Sequence, residues 1–289
     1  MYQIMTDSCC DIPYQILQEK AVTFIPMLVQ MDGHEYPDDL GETFDYPKFL
    51  AEIQRGSQPT TSQINVGRYL EFFKGYVDQN IPVLYLCFSS GLSGSYQSAL
   101  QAVEMLREEY DKDPQVYVLD TLAASLGQGL LVLKAAELRD SGLALAEIVT
   151  ELEKIKMTVQ SWVTVDDLDH LHRGGRISKT AATLGGLMNV KPIINVDAAG
   201  KLQNVGKTRG RNKALQKVVE ETTALIEHPE QQQLLLAYAG DHESAEKVKE
   251  MVLAQLPVKG LDLYPLGPTI TSHTGYGCIA LFSYGAVRQ

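Results

Sequence analysis

The sequence predicts an α/β protein of two domains, the first with a mainly parallel sheet flanked by helices and the second with a mixed sheet and helices. Through residues 1–157, short apolar runs alternate with helical patterns, as they do in βα units. Within residues 158–289, a turn signal at Asp197–Gly200 separates two apolar runs and indicates an antiparallel hairpin. We therefore place the domain boundary between residues 157 and 158.

In the first domain, apolar runs predict the strands and helical apolar spacing predicts the helices. The run at residues 83–88 has the character of a buried strand and leads into a glycine-serine loop and then a helix. A strand at residues 24–31 is followed by Asp32-Gly33, a hairpin turn signal. The other predicted elements are strands at residues 2–6 and 116–119 and helices beginning near Pro13, Asn65, Leu126 and Leu145.

The second domain begins with a strand at residues 162–165. The predicted hairpin pairs residues 192–196 with residues 201–205, and residues 267–277 are predicted to form a small-residue loop. No repeat or proline-rich linker separates the halves, so we expect close packing and a ligand site in the cleft between them. The remaining predicted elements are helices at residues 212–226 and 244–256 with a strand at 234–239 between them.

Composition and charge exclude several classes of protein. The 25 basic and 36 acidic residues give a net charge of −11, which argues against a protein that grips nucleic acid through broad charge attraction. The longest apolar runs, 81–88 and 234–239, are far shorter than the roughly 20 residues that span a bilayer. The N-terminus has no basic region before Asp7, so we expect no signal peptide and a cytoplasmic location.

Cysteine and histidine spacing predicts neither a disulfide nor a metal site. Cys9 and Cys10 are adjacent, and none of the four cysteines forms a CxxC motif. His170 and His172 are two residues apart without an evident third ligand, which disfavours zinc.

The loop Ser90–Ser95 is a candidate anion site because it connects the end of a buried strand to the start of a helix. Its serines supply hydroxyl donors, and Gly91 and Gly94 let a ligand approach the backbone. An ordinary turn with a capped helix is an equally good interpretation. The chain has no G-x-x-x-x-G-K-[ST] motif, and Gly91 to Ser95 does not fit the G-x-S-x-G pattern of hydrolases.

Other motifs have both a functional and a structural interpretation. Arg176 follows paired glycines on a turn predicted to begin a helix, where a guanidinium can meet an oxyanion or remain solvated. His273 lies in the predicted C-terminal loop, where a histidine can titrate or serve a structural role. Residues 59–63, PTTSQ, are explained by N-capping alone. The basic run Lys201–Lys217 fits either a docking surface for an acidic partner or a solvated hairpin.

Taken together, seven ordered segments resemble the DegV family of bacterial fatty-acid-binding proteins over nearly the whole chain. The resemblance implies two α/β domains that bind one long-chain fatty acid, with its carboxylate at the domain junction and its tail in a tunnel. It places the carboxylate-binding loops in the first domain and the tunnel in the second. The segments are TDSCCDIP, PTTSQ, FSSGLSGSYQSA, HRGGRIS, VKPIINVDAAGKL, KTRGRNKAL and SHTGYG.

The resemblance assigns roles residue by residue. Thr61 and Ser93 match the carboxylate-binding hydroxyls, and Arg176 and His273 match the supporting network. Tyr276 departs from the family's HTGPG pattern and puts the shape of its loop in question. The predicted ligand-binding set also includes the neighbours Ser62, Gly94 and Ser95.

The resemblance also implies a partner, a separate ATP-binding fatty acid kinase that converts the bound acid to an acyl phosphate. Arg209 and Arg211 lie in the segment that corresponds to the kinase-docking region. The resemblance thus implies a carrier that catalyses no reaction itself and needs no cofactor. It also implies transient membrane contact and no nucleic-acid partner. The alternative is a hydrolase or transferase for a small acyl substrate, with Ser93 as nucleophile and His273 as base.

Overall fold

The computed structural model describes residues 2–178 and 189–289. The strands found there are β1 (Gln3–Asp7), β2 (Val22–Ile25), β3 (Leu28–Met31), β4 (His34–Pro37), β5 (Thr60–Ser62), β6 (Val83–Cys87), β7 (Val116–Asp120), β8 (Val159–Thr164), β9 (Val190–Val196), β10 (Leu202–Arg209), β11 (Gln233–Tyr238), β12 (Gly260–Pro265) and β13 (Ile279–Tyr284). The helices found there are α1 (Tyr14–Glu19), α2 (Tyr46–Gln54), α3 (Val66–Asp78), α4 (Ser95–Tyr110), α5 (Leu126–Asp140), α6 (Leu145–Ile155), α7 (Asp169–Arg173), α8 (Arg211–Leu225), α9 (His242–Gln255) and α10 (Pro268–Thr274).

The first half of the chain forms a parallel sheet in the order β2-β1-β6-β7, which confirms the predicted architecture. Every residue of β6 is buried because helices cover both faces of the sheet. Leu84 and Leu86 belong to the core cluster that contains Leu131 of α5. Between them, Tyr85 points to the opposite face and packs against Phe73 of α3, with ring centroids 5.6 Å apart.

A small antiparallel sheet, β4-β3-β5, branches from the first half. The prediction of a single strand at residues 24–31 was wrong, because β2 joins the parallel sheet and β3 joins this small one. Pro26 lies at the break, where its missing N–H cannot continue a ladder. Asp32 and Gly33, with φ values of 52° and 80°, make the predicted hairpin turn between β3 and β4.

The second half forms a six-stranded mixed sheet in the order β10-β9-β8-β13-β11-β12. Only the β11–β12 pair is parallel, and the predicted β9–β10 hairpin is present. Helices α8 and α9 cover one face, where Val218 and Val248 share a core cluster with Leu281. The other face turns toward α5, because Ala280 and Phe282 belong to the same core cluster as Leu131.

The two halves therefore meet across α5 in one continuous apolar core. They also meet at the β9–β10 turn, where the Ser89 hydroxyl donates to the carbonyl of Gly200 over 2.7 Å. At Gly91 a Cβ atom would lie 2.5 Å from the carbonyl oxygen of Ala199, so only glycine fits that contact. The boundary between residues 157 and 158 falls in the segment between α6 and β8 and stays a prediction.

Two further expectations were wrong. Residues 267–277 contain α10 rather than only a loop, since Pro268 suits the first turn of a helix. Segment 59–63 does not cap α3; the Asn65 side chain does so by accepting from the backbone N–H of Arg68 over 3.0 Å. The helix predicted after Arg176 falls on residues outside the described ranges. Within those ranges, no helix is both long and apolar enough to cross a membrane.

Candidate functional site

A cavity lies between the mixed sheet, α10 and the loops of the first half. Both halves line it, as expected for a cleft at their junction. Four predicted site residues border it: Thr61, Ser93, Arg176 and His273.

The loop that carries Ser93 is fixed from beneath by a buried carboxylate. Asp7, at the end of β1, accepts hydrogen bonds from the backbone N–H of Phe88 and the hydroxyl of Tyr85, both over 2.9 Å. Burial raises the pKa of Asp7, while these donors oppose the rise. The loop therefore leaves β6 in a defined direction.

Ser95 and Gly94 support Ser93 from the start of α4. The hydroxyl groups of Ser93 and Ser95 are 2.9 Å apart, and the Ser95 hydroxyl accepts from the backbone N–H of Ile64 over 3.1 Å. A Cβ atom on Gly94 would lie 2.2 Å from Gln63 Oε1, so a side chain at this position would displace the Gln63 amide. Gly94, Ser95 and Ser62 are absent from the described cavity lining, and the first two act here through Ser93 and Gln63.

Thr61 and His273 form the second polar pair at the cavity. Thr61 Oγ1 on β5 and His273 Nε2 on α10 are 2.7 Å apart. Burial is the main reason that the pKa of His273 falls to about 4, and the positive charge of Arg176 and the neighbouring His170 contribute to the same shift. The imidazole is therefore neutral at pH 7. Its Nδ1 atom has no hydrogen-bond partner among the described residues.

Arg176 is the one permanently charged group of the four. Its Nε atom donates to the carbonyl of Leu92 over 3.1 Å, and Nη1 donates to the carbonyl of Gly174. It makes no ion pair with any residue in the described ranges, and burial lowers the pKa of its guanidinium. A half-buried cation that pairs with no carboxylate among the described residues favours an anionic ligand nearby.

The other end of the cavity is mainly apolar. Alternate residues of β8 and β13, including Val163, Ala280 and Phe282, point into it, together with Ile194 of β9. Burial raises the pKa of the Cys278 thiol, which also lines the cavity, to about 12. That thiol is protonated at pH 7 and behaves as an apolar group.

The structure does not form the Ser93–His273 pair that the enzyme alternative requires. His273 Nε2 is hydrogen-bonded to Thr61, and Nδ1 faces Gly174, where a Cβ atom would lie only 2.2 Å away. The Ser93 hydroxyl is paired with Ser95 instead. An imidazole with a pKa of about 4 is also a weak general base at pH 7.

The two candidate docking arginines differ in exposure. Arg209, at the end of β10, is exposed. Arg211, at the start of α8, is held by Asp241, whose Oδ2 accepts from Nη2 over 2.9 Å. Tyr276 lies outside the described cavity lining and packs against Gly240, where a Cβ atom would lie 2.1 Å from the tyrosine ring.

The sequence alignment covers almost the whole chain. Residues 1–286 match the DegV family of uncharacterised proteins. The chain belongs to the DegV family. A DegV domain-containing protein of Clostridium perfringens is 39% identical over 288 residues, covering 100% of this chain and 99% of the relative.

Solved DegV structures have the same fold as this DegV chain. A DegV protein of Thermus thermophilus, described for its fatty acid binding, matches with a TM-score of 0.88 and 31% identity, covering 99% of each chain. A stearic acid-binding protein of Eubacterium ventriosum matches with a TM-score of 0.87 and 28% identity, covering 98% of this chain and 97% of that one.

Sequence reasoning missed three buried carboxylates beneath the site, those of Asp7, Asp11 and Asp38. Asp7 and Asp11 lie in the TDSCCDIP segment that contributes to the family resemblance, which was the one available signal. An aspartate beside turn residues is normally read as an exposed cap, so its burial cannot be inferred before the fold is known. Within the described ranges, no group of three or more His, Cys, Asp or Glu side chains is arranged to hold a metal.

Proposed function

We propose that this DegV protein binds one long-chain fatty acid, with the carboxylate at Thr61 and Ser93 and the tail in the apolar end of the cavity. The observation that supports this proposal most strongly is a single cavity with two kinds of lining, hydroxyls and a half-buried guanidinium at one end and mainly apolar side chains at the other. The relatives from Thermus thermophilus and Eubacterium ventriosum, which are described as fatty-acid-binding, support this proposal.

The head-group chemistry follows from the hydrogen-bonding capacity of the polar end. If the Thr61 hydroxyl donates its proton to a carboxylate, its oxygen must accept from His273 Nε2–H. The neutral imidazole then carries its proton on Nε2, consistent with an unpartnered Nδ1 among the described residues. Ser93 supplies a second donor, and the positive charge of Arg176 favours the ionised acid.

The tail supplies most of the affinity. Burial of apolar surface contributes about 0.8 kcal/mol per methylene, so roughly a dozen methylenes give on the order of 10 kcal/mol before ordering costs. The hydroxyls add less energy but select the orientation, because a carboxylate at the apolar end would lose its hydrogen bonds.

In this proposal, the protein presents its bound fatty acid to a separate ATP-dependent kinase and performs no phosphoryl transfer itself. The lack of a P-loop motif in the sequence supports this division of labour. Lys207 and Arg209 are both exposed on the same face of the edge strand β10 and are suited to an acidic partner. Arg211 contributes less, because Asp241 already neutralises it.

The test of the binding proposal is organic extraction of the purified protein followed by mass spectrometry. We expect one fatty acid per chain, and we expect the stripped protein to take up added stearic acid in the same ratio. A protein that carries no lipid and takes up no stearic acid would overturn the proposal. A lipid without a free carboxylate would overturn the head-group assignment.

A further inference from the structure

Helix α10 belongs to the second half of the chain but is held by groups from the first half. The backbone N–H of Gly267 donates to Asp11 Oδ1 over 2.9 Å, and that of Thr269 donates to Asp38 Oδ2 over 3.2 Å. Further along the helix, the hydroxyl groups of Thr271 and Tyr46 are 2.8 Å apart. The last contact in this series is the His273–Thr61 hydrogen bond of the site.

The two aspartates are buried, and an ionised carboxylate in such a position is energetically costly unless it accepts hydrogen bonds. Asp11 and Asp38 are almost fully buried, and removal from water raises the pKa of both, that of Asp38 to about 6. Both accept from N–H groups at the start of α10, which have no partner inside the helix. Asp11 also accepts from the hydroxyl of Ser125 over 2.6 Å and so connects the starts of α5 and α10.

The helix needs such partners because it is short. Its seven residues are too few for a stable isolated helix, so contacts outside the helix must fix its position. Gly267 precedes it and Gly275, with φ of 75°, follows it, so its ends add little backbone restraint. The orientation of His273 therefore depends on the groups that form hydrogen bonds with the start and middle of α10.

We propose that Asp11, Asp38 and Tyr46 are positioning residues of the head-group site, which hold α10 so that His273 stays against Thr61. They do not border the cavity in the described structure and so act through His273 rather than on the ligand. This inference rests on the proposed fatty-acid function for its effect on affinity. Its effect on His273 can be measured without any ligand.

The experiment combines stearic acid affinity with NMR titration of the His273 imidazole in Asp38→Ala, Asp38→Asn and Tyr46→Phe. Asp38→Ala removes the acceptor for Thr269 N–H, and we expect about tenfold weaker binding and a His273 pKa that rises toward 6.5. Loss of a negative charge alone would lower that pKa, so the direction separates movement of α10 from simple electrostatics. Asp38→Asn keeps an acceptor oxygen, and we expect both values to stay close to wild type.

Tyr46→Phe keeps the aromatic stacking on Phe49 and loses only the hydroxyl bonded to Thr271, so it tests the proposal even if Asp38→Ala does not fold. In Tyr46→Phe we expect a smaller loss of stearic acid affinity and a smaller rise in the His273 pKa than in Asp38→Ala. The matched control is Asp241→Ala, which removes the capping carboxylate of α9, a helix that packs against α8, β11 and β12. We expect it to lower thermal stability and leave both readouts unchanged.

An unaltered His273 titration in both Asp38→Ala and Tyr46→Phe would overturn the positioning role. Changes of equal size in Asp241→Ala would also overturn it, because they would reflect general destabilisation. If the wild-type protein binds no fatty acid, the proposed function fails, and the His273 titration still decides whether these residues position α10.

Discussion

The two ends of the cavity are built on different physical principles. The apolar end comes from alternate residues of neighbouring strands, among them Val163, Ala280 and Phe282, whose position follows from the sheet register. The polar end brings Thr61, Ser93, Arg176 and His273 together from four separate segments of the chain. Burial therefore suffices to form the first end, whereas the second needs buried carboxylates and specific hydrogen bonds to hold its parts in place.

This difference between the two ends predicts how ligand binding responds to substitutions at each end. Affinity should depend mainly on free volume at the apolar end, where contacts are many and individually weak. Orientation should depend on single atoms at the polar end, where Thr61 Oγ1, Ser93 Oγ and His273 Nε2 each make specific hydrogen bonds. Substitutions can be chosen to affect one end and leave the other intact.

The largest effect should come from filling the apolar end. Ala280→Phe adds a ring to a buried position that lines the cavity, and we expect stearic acid affinity to fall by more than about a hundredfold, as loss of several methylene contacts implies. Titration calorimetry measures the change. The matched control is Ile279→Phe on the opposite face of β13, which should affect stability without reducing affinity. Equal affinity in Ala280→Phe and wild type would place the tail elsewhere.

The next effect should come from the hydroxyls. Thr61→Val with Ser93→Ala keeps the shape of the polar end and removes both donors, and we expect a loss of about 2–3 kcal/mol in stearic acid binding. Thr60→Val is the matched control, since Thr60 is exposed on the same strand. If the double variant and the control bind stearic acid equally, the carboxylate does not sit between these hydroxyls.

A pH-dependent effect of similar size should come from His273. The folded-state pKa of His273 is lowered from 6.5 to about 4, so its stabilising contribution is present above pH 6.5 and lost as the pH falls toward 4. Asp38 acts with the opposite sign, because its pKa is raised from 3.8 to about 6 and its contribution is lost as the pH rises through 6. The two dependences partly cancel in the wild-type protein.

A comparison of wild type with a His273 variant should therefore isolate the contribution of His273, because that of Asp38 is common to both proteins. We expect the free energy of unfolding of wild type, relative to His273→Gln, to fall by about 3 kcal/mol between pH 6.5 and pH 4. Urea titrations of the ligand-free proteins at several pH values measure this difference. A difference that does not vary with pH would mean that His273 is solvated and has an ordinary pKa.

The smallest effect should come from substitution of an exposed arginine on the protein surface. Arg209→Ala should lower phosphorylation of the bound acid by a fatty acid kinase about fivefold at low salt and leave stearic acid affinity unchanged. Arg211→Ala is the comparison, and we expect a weaker effect because Asp241 already pairs with that arginine. Kinase rates at two salt concentrations measure both. A larger loss in Arg211→Ala would reverse the assignment of the docking residue.

Elements of the fold that depend on local sequence could be predicted, whereas the arrangement of the polar end of the cavity could not. The buried strand at residues 83–88 and the β9–β10 hairpin were recoverable because alternation and turn residues are local signals. Helix α10 was missed because its short run of threonine and serine has weak helix propensity and depends on Asp11 and Asp38, which are distant in the chain. The Ser90–Ser95 loop, Arg176 and His273 were candidates from the sequence itself, but their combination with Thr61 in one site came from the family resemblance, since residue spacing gives no distance between Thr61 and His273.

The most direct test of the account is a crystal structure of the protein loaded with stearic acid. We predict a carboxylate within hydrogen-bonding distance of the Thr61 and Ser93 hydroxyls, with His273 Nε2 still on Thr61 and the tail passing Ala280 toward Phe282. A fatty acid bound in the reverse orientation, or outside this cavity, would contradict the account.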